Sequence, residues 1–330
     1  MDIVLSHGSA LEYLRFVSVG MPLHSMCVEE MRCAPRTGTA GRRVLNASKP
    51  SASRIADIKR CGFGYLSDPV HLLVPDSDSR CRARNVRCHR CTGCLPSDSF
   101  LEAGKGVFAT SPEFTFVLIA SELPLVEAVL VGCELCGTYA QAVDEREGAP
   151  IRRDPLTTVA RIRRFIEKTD ARCGVKRARI ALAFVRPGSA SYMETCLLLV
   201  LCLPKRLGGY GLPVPRMNSR VMLGAKARIA AKSDHCVCDL VWPSANLAIE
   251  YDSNLCHTGA SRIARDASRR VVLSHQGIET VTVTWNQVRN RDKLDRVARL
   301  IARRLGVRLR TDGPVWHEAN LSLRARLFGR

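Results

Sequence analysis

The amino-acid sequence predicts a mixed α/β protein of the α+β type, in which a C-terminal core of order α-β-β-β-α-β follows a smaller mixed N-terminal domain. Short β-branched or apolar runs alternate with longer runs of helical period in the C-terminal half, as in strands and helices that pack in layers. Between the halves, the stretch Val143–Pro155 is charged and broken by glycine and proline, which indicates a linker. No internal repeat is visible, so a repeat architecture is not expected.

The N-terminal half divides into three predicted parts. Residues 1–60 carry few periodic signals, and their stretch 36–53 is rich in Arg, Gly, Ser and Pro, so they are predicted as a poorly defined segment. Residues 61–142 are predicted as a small mixed domain, with a strand at Val70–Val74 and helices that follow Ser111-Pro112-Glu113 and Ser121-Glu122-Leu123-Pro124. Residues 143–175 are predicted as a linker and a helix.

The C-terminal part, residues 176–310, reads as an ordered series of elements before a basic tail at 311–330. Its predicted helices span 176–186, 191–203, 260–274 and 291–305, after the helix at 156–169 of the preceding segment. Its predicted strands lie around 220–223, at 236–242, at 247–252 and at 278–284. The helix at 191–203 is apolar except for one acid, Glu194, and the helix at 260–274 is rich in arginine.

Two apolar runs, Cys236–Trp242 and Leu247–Asp252, predict an antiparallel hairpin. They are separated by Pro243-Ser244-Ala245-Asn246, a composition typical of a turn. If Trp242 pairs with Leu247, each step back along the first strand is matched by one step forward along the second. A tighter loop of Ser244-Ala245 alone gives the same pairs. The register is therefore well determined by the sequence.

This register brings carboxylates together on one face of the hairpin. It sets Asp239 opposite Glu250, where directly paired side chains stand roughly 5 Å apart, and alternation adds Asp252 to the same face. Like charges so placed repel each other, and the hairpin contains no lysine that would neutralise them. Either their pKa values rise, or a hard cation with oxygen ligands such as Mg²⁺ compensates the charge. We favour the cation.

Composition points to a polyanionic partner. The chain has 330 residues, enough for two domains, and 50 Lys+Arg against 31 Asp+Glu give it a net charge of +19. Arginine binds phosphate through its planar fork of donors, so nucleic acid is the expected partner. Aromatic residues make up only 5%, which favours contacts to duplex DNA over base stacking on single strands. A basic protein without a nucleic-acid role is the alternative.

Several features predict a cytoplasmic protein with no membrane segment. No apolar stretch reaches the roughly 18 residues of a membrane span, and Met1-Asp2-Ile3 does not begin a signal peptide with a basic flank. The 15 cysteines are odd in number and lie partly in apolar runs, which fits reduced thiols better than a disulfide framework.

Four segments of the C-terminal half carry a family resemblance. They are Gly188–Glu194, Cys238–Pro243, Ala248–Ser253, and His257 followed by Arg265–Arg270 and Gly277-Ile278. Together they resemble the DUF559 and Vsr-like branch of the PD-(D/E)xK nuclease superfamily, whose restriction-endonuclease-like core is a mixed sheet in αβββαβ order. The resemblance covers residues 176–305. The stretch from Ser111 to Gly137 also resembles the region that precedes this domain in proteins of the same type, some of which resemble antitoxin regulators.

The resemblance implies a metal-dependent endonuclease. Asp239 and Glu250 match the metal-binding acids of the family, and Glu194 matches the helix acid that completes or supports the site. Where the superfamily usually has lysine two residues after the second acid, this chain has Asp252, and where this branch often has Asp-Gly it has Asp252-Ser253. An aspartate at this position followed by a histidine, here His257, is common in the branch.

We therefore expect Mg²⁺, or Mn²⁺ in its place, to be held by the catalytic acids Asp239 and Glu250, with Glu194 and Asp252 as further metal ligands. Asp252 would alternatively orient the attacking water. His257 would exchange a proton with the attacking water or the leaving oxygen. Three arginines of the predicted helix would contact DNA phosphates: Arg262, Arg269 and Arg270. Each assignment has a plainer alternative. Asp239 and Glu250 would then be exposed acids of a surface hairpin, Asp252 would begin a turn at the strand end, and His257 would be structural. Glu194 and the three arginines would be solvated positions on helix surfaces.

Two other functions remain open from the sequence. The first is a catalytically inactive DNA-binding regulator, antitoxin-like, that keeps the nuclease fold, which the missing lysine favours. In the endonuclease interpretation, the N-terminal half would help to recognise a DNA sequence or a protein partner. The second is a zinc-stabilised interaction protein built around Cys88, Cys91 and Cys94. Zinc is disfavoured there, because structural zinc usually takes two short cysteine pairs separated by a longer loop.

Overall fold

The computed structural model describes residues 2–19, 38–104, 106–141, 151–169, 174–224, 228, 233–252, 269–311 and 313–329. The chain divides into two compact units, Met1–Pro187 (unit 1) and Gly188–Arg330 (unit 2). Among the described residues, no helix combines the length and the apolar composition needed to cross a membrane.

Unit 1 contains a mixed five-stranded sheet. Its strands are β1 (Ile3–Leu5), β2 (Val70–Val74), β3 (Val86–Arg90), β4 (Phe100–Gly104) and β5 (Val107–Thr110), in the spatial order β3-β2-β1-β5-β4. β1 runs parallel to β5 and antiparallel to β2, and β2 runs parallel to β3. The short strand β1 is therefore the central strand of the sheet, and its three residues are completely buried.

The helices of unit 1 are α1 (His7–Ser18), α2 (Gly38–Ala47), α3 (Ala52–Ile58), α4 (Pro112–Glu122), α5 (Leu125–Leu135), α6 (Val159–Lys168) and α7 (Val175–Leu182). A short ladder joins β6 (Tyr139–Ala140) to β7 (Ile151–Arg152). Ser111 caps α4, because its hydroxyl accepts a hydrogen bond from the N–H of Phe114. α4 is buried from Pro112 to Ala120, as expected of a helix that is apolar on all sides.

The structure confirms the predicted strand at 70–74 and the helices after Ser111 and Ser121. It differs from the sequence-based prediction for residues 1–60, which contain β1, α1, α2 and α3. A strand of three residues is too short to display a period, which is why the pattern did not reveal it. The division between the units also lies at 187/188 instead of 175/176, because α7 packs against α4 and α5 of unit 1.

Unit 2 contains a four-stranded sheet behind a buried helix. The elements are α8 (Tyr192–Cys202), β8 (Arg216–Met222), β9 (His235–Trp242), β10 (Leu247–Asp252), a helical stretch at 269–275, β11 (Glu279–Thr284), α9 (Trp285–Arg289), α10 (Arg291–Arg304) and α11 (Pro314–Phe328). The strand order is β11-β10-β9-β8, with β10 and β11 parallel and the other pairs antiparallel. The order of elements is thus the predicted α-β-β-β-α-β. The fold class, a mixed α/β protein, is confirmed at that level.

The predicted basic tail at 311–330 is the helix α11 in the structure. Its Trp316, Leu323 and Leu327 are buried, and the indole N–H of Trp316 donates to the carbonyl of Gly209. The sequence-based prediction followed the charge of the segment and overlooked its apolar residues. Of the predicted arginine-rich helix at 260–274, residues 260–268 lie outside the described part of the chain, while 269–275 are helical.

Candidate carboxylate site

The hairpin of β9 and β10 has the predicted register over the three residue pairs of its hydrogen-bonded ladder. These pairs are Trp242–Leu247, Val241–Ala248 and Leu240–Ile249. The turn between the strands is a short 3₁₀ segment, Pro243–Ala245, that ends at Asn246 with a positive φ of 47°. Asparagine tolerates this left-handed conformation better than most residues, so the turn composition and the hairpin geometry agree.

Asp239 bridges the two strands through its side chain. Its Oδ2 accepts a hydrogen bond of 2.8 Å from the backbone N–H of Tyr251. Asp239 is one position, and Tyr251 two positions, beyond the last pair of the ladder, Leu240–Ile249. Asp239 is half-buried, and on its other side the neighbouring strand β8 contains Asn218, which has a positive φ of 41°. The carboxylate of Asp239 is therefore held by this hydrogen bond at the point where the regular pairing of β9 and β10 ends.

Glu250 forms an ion pair with Arg269. The Nη2 atom of Arg269 lies 2.8 Å from Oε1 and 2.9 Å from Oε2 of Glu250, and it also donates to the carbonyl of Val237. Arg269 belongs to the helical stretch 269–275, which is anchored by Leu273 in a buried cluster with Cys238, Val241 and Ala248. The packing of this helical stretch thus positions the guanidinium over the hairpin.

Glu194 lies in the first turn of α8, where it takes part in capping the helix. Ser191 accepts a hydrogen bond from the N–H of Glu194, and the Oε2 of Glu194 accepts from the N–H of Ala190 at 2.8 Å. The same oxygen accepts a hydrogen bond of 2.6 Å from the side-chain amide of Asn218. Capping alone accounts for an acid at this position, but Asn218 also connects it to the sheet.

The three acids influence one another electrostatically. Burial, and then the charge of Asp239, raise the pKa of Glu194 to about 7. The same two causes raise the pKa of Glu250 to about 7, although Arg269 and the Cys238 thiol oppose the shift. Burial, followed by the nearby Glu250, raises the pKa of Cys238 to about 12, so this thiol is a neutral hydrogen-bond donor. The site therefore concentrates negative charge in a poorly solvated place.

The remaining predicted site residues have different outcomes. Asp252 is half-buried at the end of β10, opposite Thr284 of β11. Arg270 is exposed and donates to the hydroxyl of Thr282 at 3.1 Å. His257 and Arg262 lie outside the described residues.

The acids do not yet form a compact ligand set. A compact ligand set brings at least three ligand atoms of His, Cys, Asp or Glu close to one another. Among the described residues, His7, His71 and His89 of unit 1 have such atoms within 4.8 Å of one another, and the acids of unit 2 do not. In unit 2 the carboxylates of Glu194, Asp239 and Glu250 each accept hydrogen bonds from other groups of the protein. One ion shared by Asp239 and Glu250 would require the Arg269 guanidinium to move aside.

Sequence reasoning missed the role of Asn218, the contact of Arg269 with Glu250, and the histidine group of unit 1. Asn218 lies within a strand and shows no signal of its role. Arg269 was predicted as a phosphate ligand, and its contact with Glu250 depends on how the helical stretch packs. The histidine group of unit 1 comes from three distant segments, so spacing along the chain could not reveal it.

No protein-family model, curated protein or solved structure matches this chain. The resemblance of the quoted segments to the PD-(D/E)xK superfamily therefore stays a prediction from the sequence.

Proposed function

We propose that unit 2 is a DNA endonuclease-like unit, whose Asp239 and Glu250 hold a divalent cation of the Mg²⁺ class. The observation that carries the proposal is the convergence of Glu194, Asp239 and Glu250 from a helix and two strands on one poorly solvated place. Burial and mutual repulsion raise the pKa values of both glutamates to about 7. Such perturbation by a specific neighbour is typical of functional sites.

The residues present fit a hard cation. All three candidate ligands offer carboxylate oxygen, the donor that Mg²⁺ prefers, and no soft ligand is required. The Arg269 guanidinium already provides one positive charge beside Glu250, and a bound cation would take its place there. When bound, a Mg²⁺ ion would lower the pKa of a coordinated water and shield charge on the scissile phosphate.

The chain's own residues would position the DNA and the acids. Arg269, once released from Glu250, and the exposed Arg270 supply guanidinium donors for phosphate oxygens at the same side of the sheet. Asn218 orients Glu194 through its amide, and the Tyr251 N–H orients Asp239. The overall charge of +19 would draw the polyanion to the protein.

A second candidate is the catalytically inactive DNA-binding regulator. It is favoured by the Arg269–Glu250 ion pair, because a guanidinium occupies the carboxylate that an ion would need. It is also favoured by Asp252, which stands where the superfamily usually has the lysine.

Plasmid cleavage by the full-length protein separates the two candidates. Supercoiled plasmid is incubated with Mg²⁺ or Mn²⁺ and, in parallel, with a chelator, while DNA binding is followed by fluorescence anisotropy. We expect metal-dependent nicking or linearisation that Asp239→Asn abolishes without loss of DNA binding. The matched control is Asp234→Asn, which changes an exposed acid next to β9 and should leave cleavage intact.

Two results would contradict the nuclease proposal. Cleavage that Asp239→Asn leaves unchanged would come from another site or another protein. Tight DNA binding without any cleavage, in either metal, would favour the regulator.

A further inference from the structure

A cluster of three histidines occupies one face of the sheet in unit 1, separate from the carboxylate site. His7 begins α1 directly after β1, His71 lies on β2, and His89 lies on the adjacent strand β3. In the parallel pair of β2 and β3, Leu73 is opposite His89, so the alternation of side chains puts His71 and His89 on the same face. The His7 ring stacks on His89 with a centroid distance of 3.7 Å.

The nitrogen atoms of the three rings converge. One ligand atom from each histidine can be chosen so that all three lie within 4.8 Å of one another. The closest contact joins His71 Nδ1 to His89 Nε2 at 3.1 Å. In a tetrahedral site with Zn–N bonds of about 2.0–2.1 Å, neighbouring nitrogens are about 3.3 Å apart. Changes of at most about 1.5 Å in the distances between the three nitrogen atoms would therefore bring them to that geometry.

Two of the rings also lie near the carboxylate of Glu122, and a carboxylate is a partner that metal-bound histidines often use. His89 Nδ1 lies 3.3 Å from Oε1 of Glu122, at the end of α4, while its Nε2 faces His71. His7 Nδ1 lies 3.1 Å from the hydroxyl of Ser6, and its Nε2 lies 4.0 Å from the same Glu122 oxygen. A carboxylate that accepts from the far nitrogen fixes the tautomer and the orientation of a ligating histidine.

The backbone at His7 supports a special role for this residue. His7 is buried and has a positive φ of 47°, a region that residues other than glycine seldom occupy. Such strained positions persist where the surrounding structure holds them, and they concentrate at functional sites.

We propose that His7, His71 and His89 bind one Zn²⁺ ion, or a similar divalent transition metal, with Glu122 accepting a hydrogen bond from His89. Imidazole nitrogen is a ligand that suits zinc, and three histidines leave a fourth position for water or for Glu122 itself. The ion would join the β1–α1 junction to β2 and β3, and thereby stabilise unit 1. The alternative is a metal-free chain of hydrogen bonds from His71 through His89 to Glu122.

Metal binding by the full-length protein tests the proposal directly. The protein is stripped with a chelator, checked for native circular dichroism, and titrated with Zn²⁺ or Co²⁺, with elemental analysis after dialysis. We expect one tightly held ion per chain, a visible Co²⁺ spectrum without thiolate charge transfer, and a higher melting temperature with Zn²⁺. A folded protein that retains no zinc would overturn the proposal in favour of the metal-free hydrogen bonds.

Variants assign the ion to its ligands. His71→Gln and His89→Gln should each lower zinc affinity by more than about 10-fold, and Glu122→Gln by about 10-fold. Because Glu122 is partly exposed, its variant keeps the test valid if a histidine variant fails to fold. The matched control is His275→Gln, which changes an exposed histidine of unit 2 and should have no effect.

Two further variants exclude other ligands. A triple change of Cys88, Cys91 and Cys94 to Ser should leave the zinc content unchanged, as should Asp239→Asn in unit 2. Loss of zinc from the cysteine variant together with retention in His89→Gln would overturn the histidine assignment. These readouts require neither DNA nor Mg²⁺, so they stand apart from the proposed nuclease activity.

Discussion

The guanidinium of Arg269 binds both carboxylate oxygens of Glu250, with Nη2 at 2.8 and 2.9 Å. This ion pair joins the helical stretch 269–275 to the middle of the sheet in unit 2. It compensates one of the crowded carboxylates, and it also competes with any cation for the same oxygens. Arg269 is therefore the residue at which the stability and the proposed activity of unit 2 are coupled.

Replacement of Arg269 by Gln should destabilise unit 2 in metal-free buffer by about 1–2 kcal/mol. The loss falls below the roughly 3–5 kcal/mol of fully buried pairs, because the Arg269 side chain is 37% exposed and solvent screens its charge. Urea unfolding followed by tryptophan fluorescence measures this, since all three tryptophans, Trp242, Trp285 and Trp316, lie in unit 2. The neighbouring exposed variant Arg270→Gln is the control, and equal losses in both variants would contradict a special role for Arg269.

The raised pKa of Glu194 should make unit 2 less stable as the pH rises. Its folded pKa of about 7 lies above the ordinary value of 4.5, so the folded state binds the proton more tightly. The stabilisation is fully present below pH 4.5 and is lost as the pH rises through 7. Glu194→Gln should flatten this part of the stability profile, while Glu318→Gln, at an exposed position of α11, should not. Parallel profiles for the wild type and Glu194→Gln would refute the assignment.

Gly208 should tolerate no side chain. Its φ is +85°, and a Cβ atom there would lie 2.2 Å from the backbone oxygen of Ala319 in α11. Gly208→Ala should destabilise unit 2 by more than about 3 kcal/mol, as measured by tryptophan fluorescence in urea. Gly306→Ala is the matched control, because Gly306 has a similar positive φ of 65° and no atom within 4 Å of the added Cβ. It should cost only the roughly 1–2 kcal/mol of the left-handed backbone.

In unit 1, the ion pair of Arg15 with Glu134 should contribute strongly to stability. Two Arg15 nitrogens lie 2.8 and 2.6 Å from the Glu134 oxygens, and the Glu134 side chain is only 3% exposed. Glu134→Gln leaves Arg15 without its counter-charge and should cost about 3 kcal/mol. Thermal unfolding by far-UV circular dichroism measures this, with unit 2 fluorescence as the internal reference. Asp57→Asn, in the exposed pair with Arg60, should change stability by less than about 0.5 kcal/mol.

The hairpin of unit 2 was the part most accessible to sequence reasoning. Its two apolar runs and the turn at 243–246 fix one register, and a one-residue slip would turn every buried side chain to the other face. The same reasoning placed Asp239 near Glu250. It could not predict that the Tyr251 N–H binds Asp239, because that contact arises where the regular pairing of the two strands ends.

Contacts between distant elements were beyond the sequence. The partner of Glu250 depends on how the helical stretch at 269–275 packs through Leu273. His7, His71 and His89 meet only because β1, β2 and β3 are neighbours in the sheet, and nothing along the chain specifies that order. The helix α11, with its buried Trp316, Leu323 and Leu327, was not predicted, because the charge of its arginines outweighed the apolar residues in the composition of the segment.

The position of β1 in the middle of its sheet has a consequence for biosynthesis. Ile3–Leu5 pairs with β2, but its parallel neighbour β5 begins only at Val107. At about 5–20 residues per second, a ribosome needs about 5–20 s to synthesise the intervening chain. During that interval the edge of the apolar strand β1 that will pair with β5 has no native neighbour. We therefore expect unit 1 to depend on chaperones during translation more than its size alone would indicate.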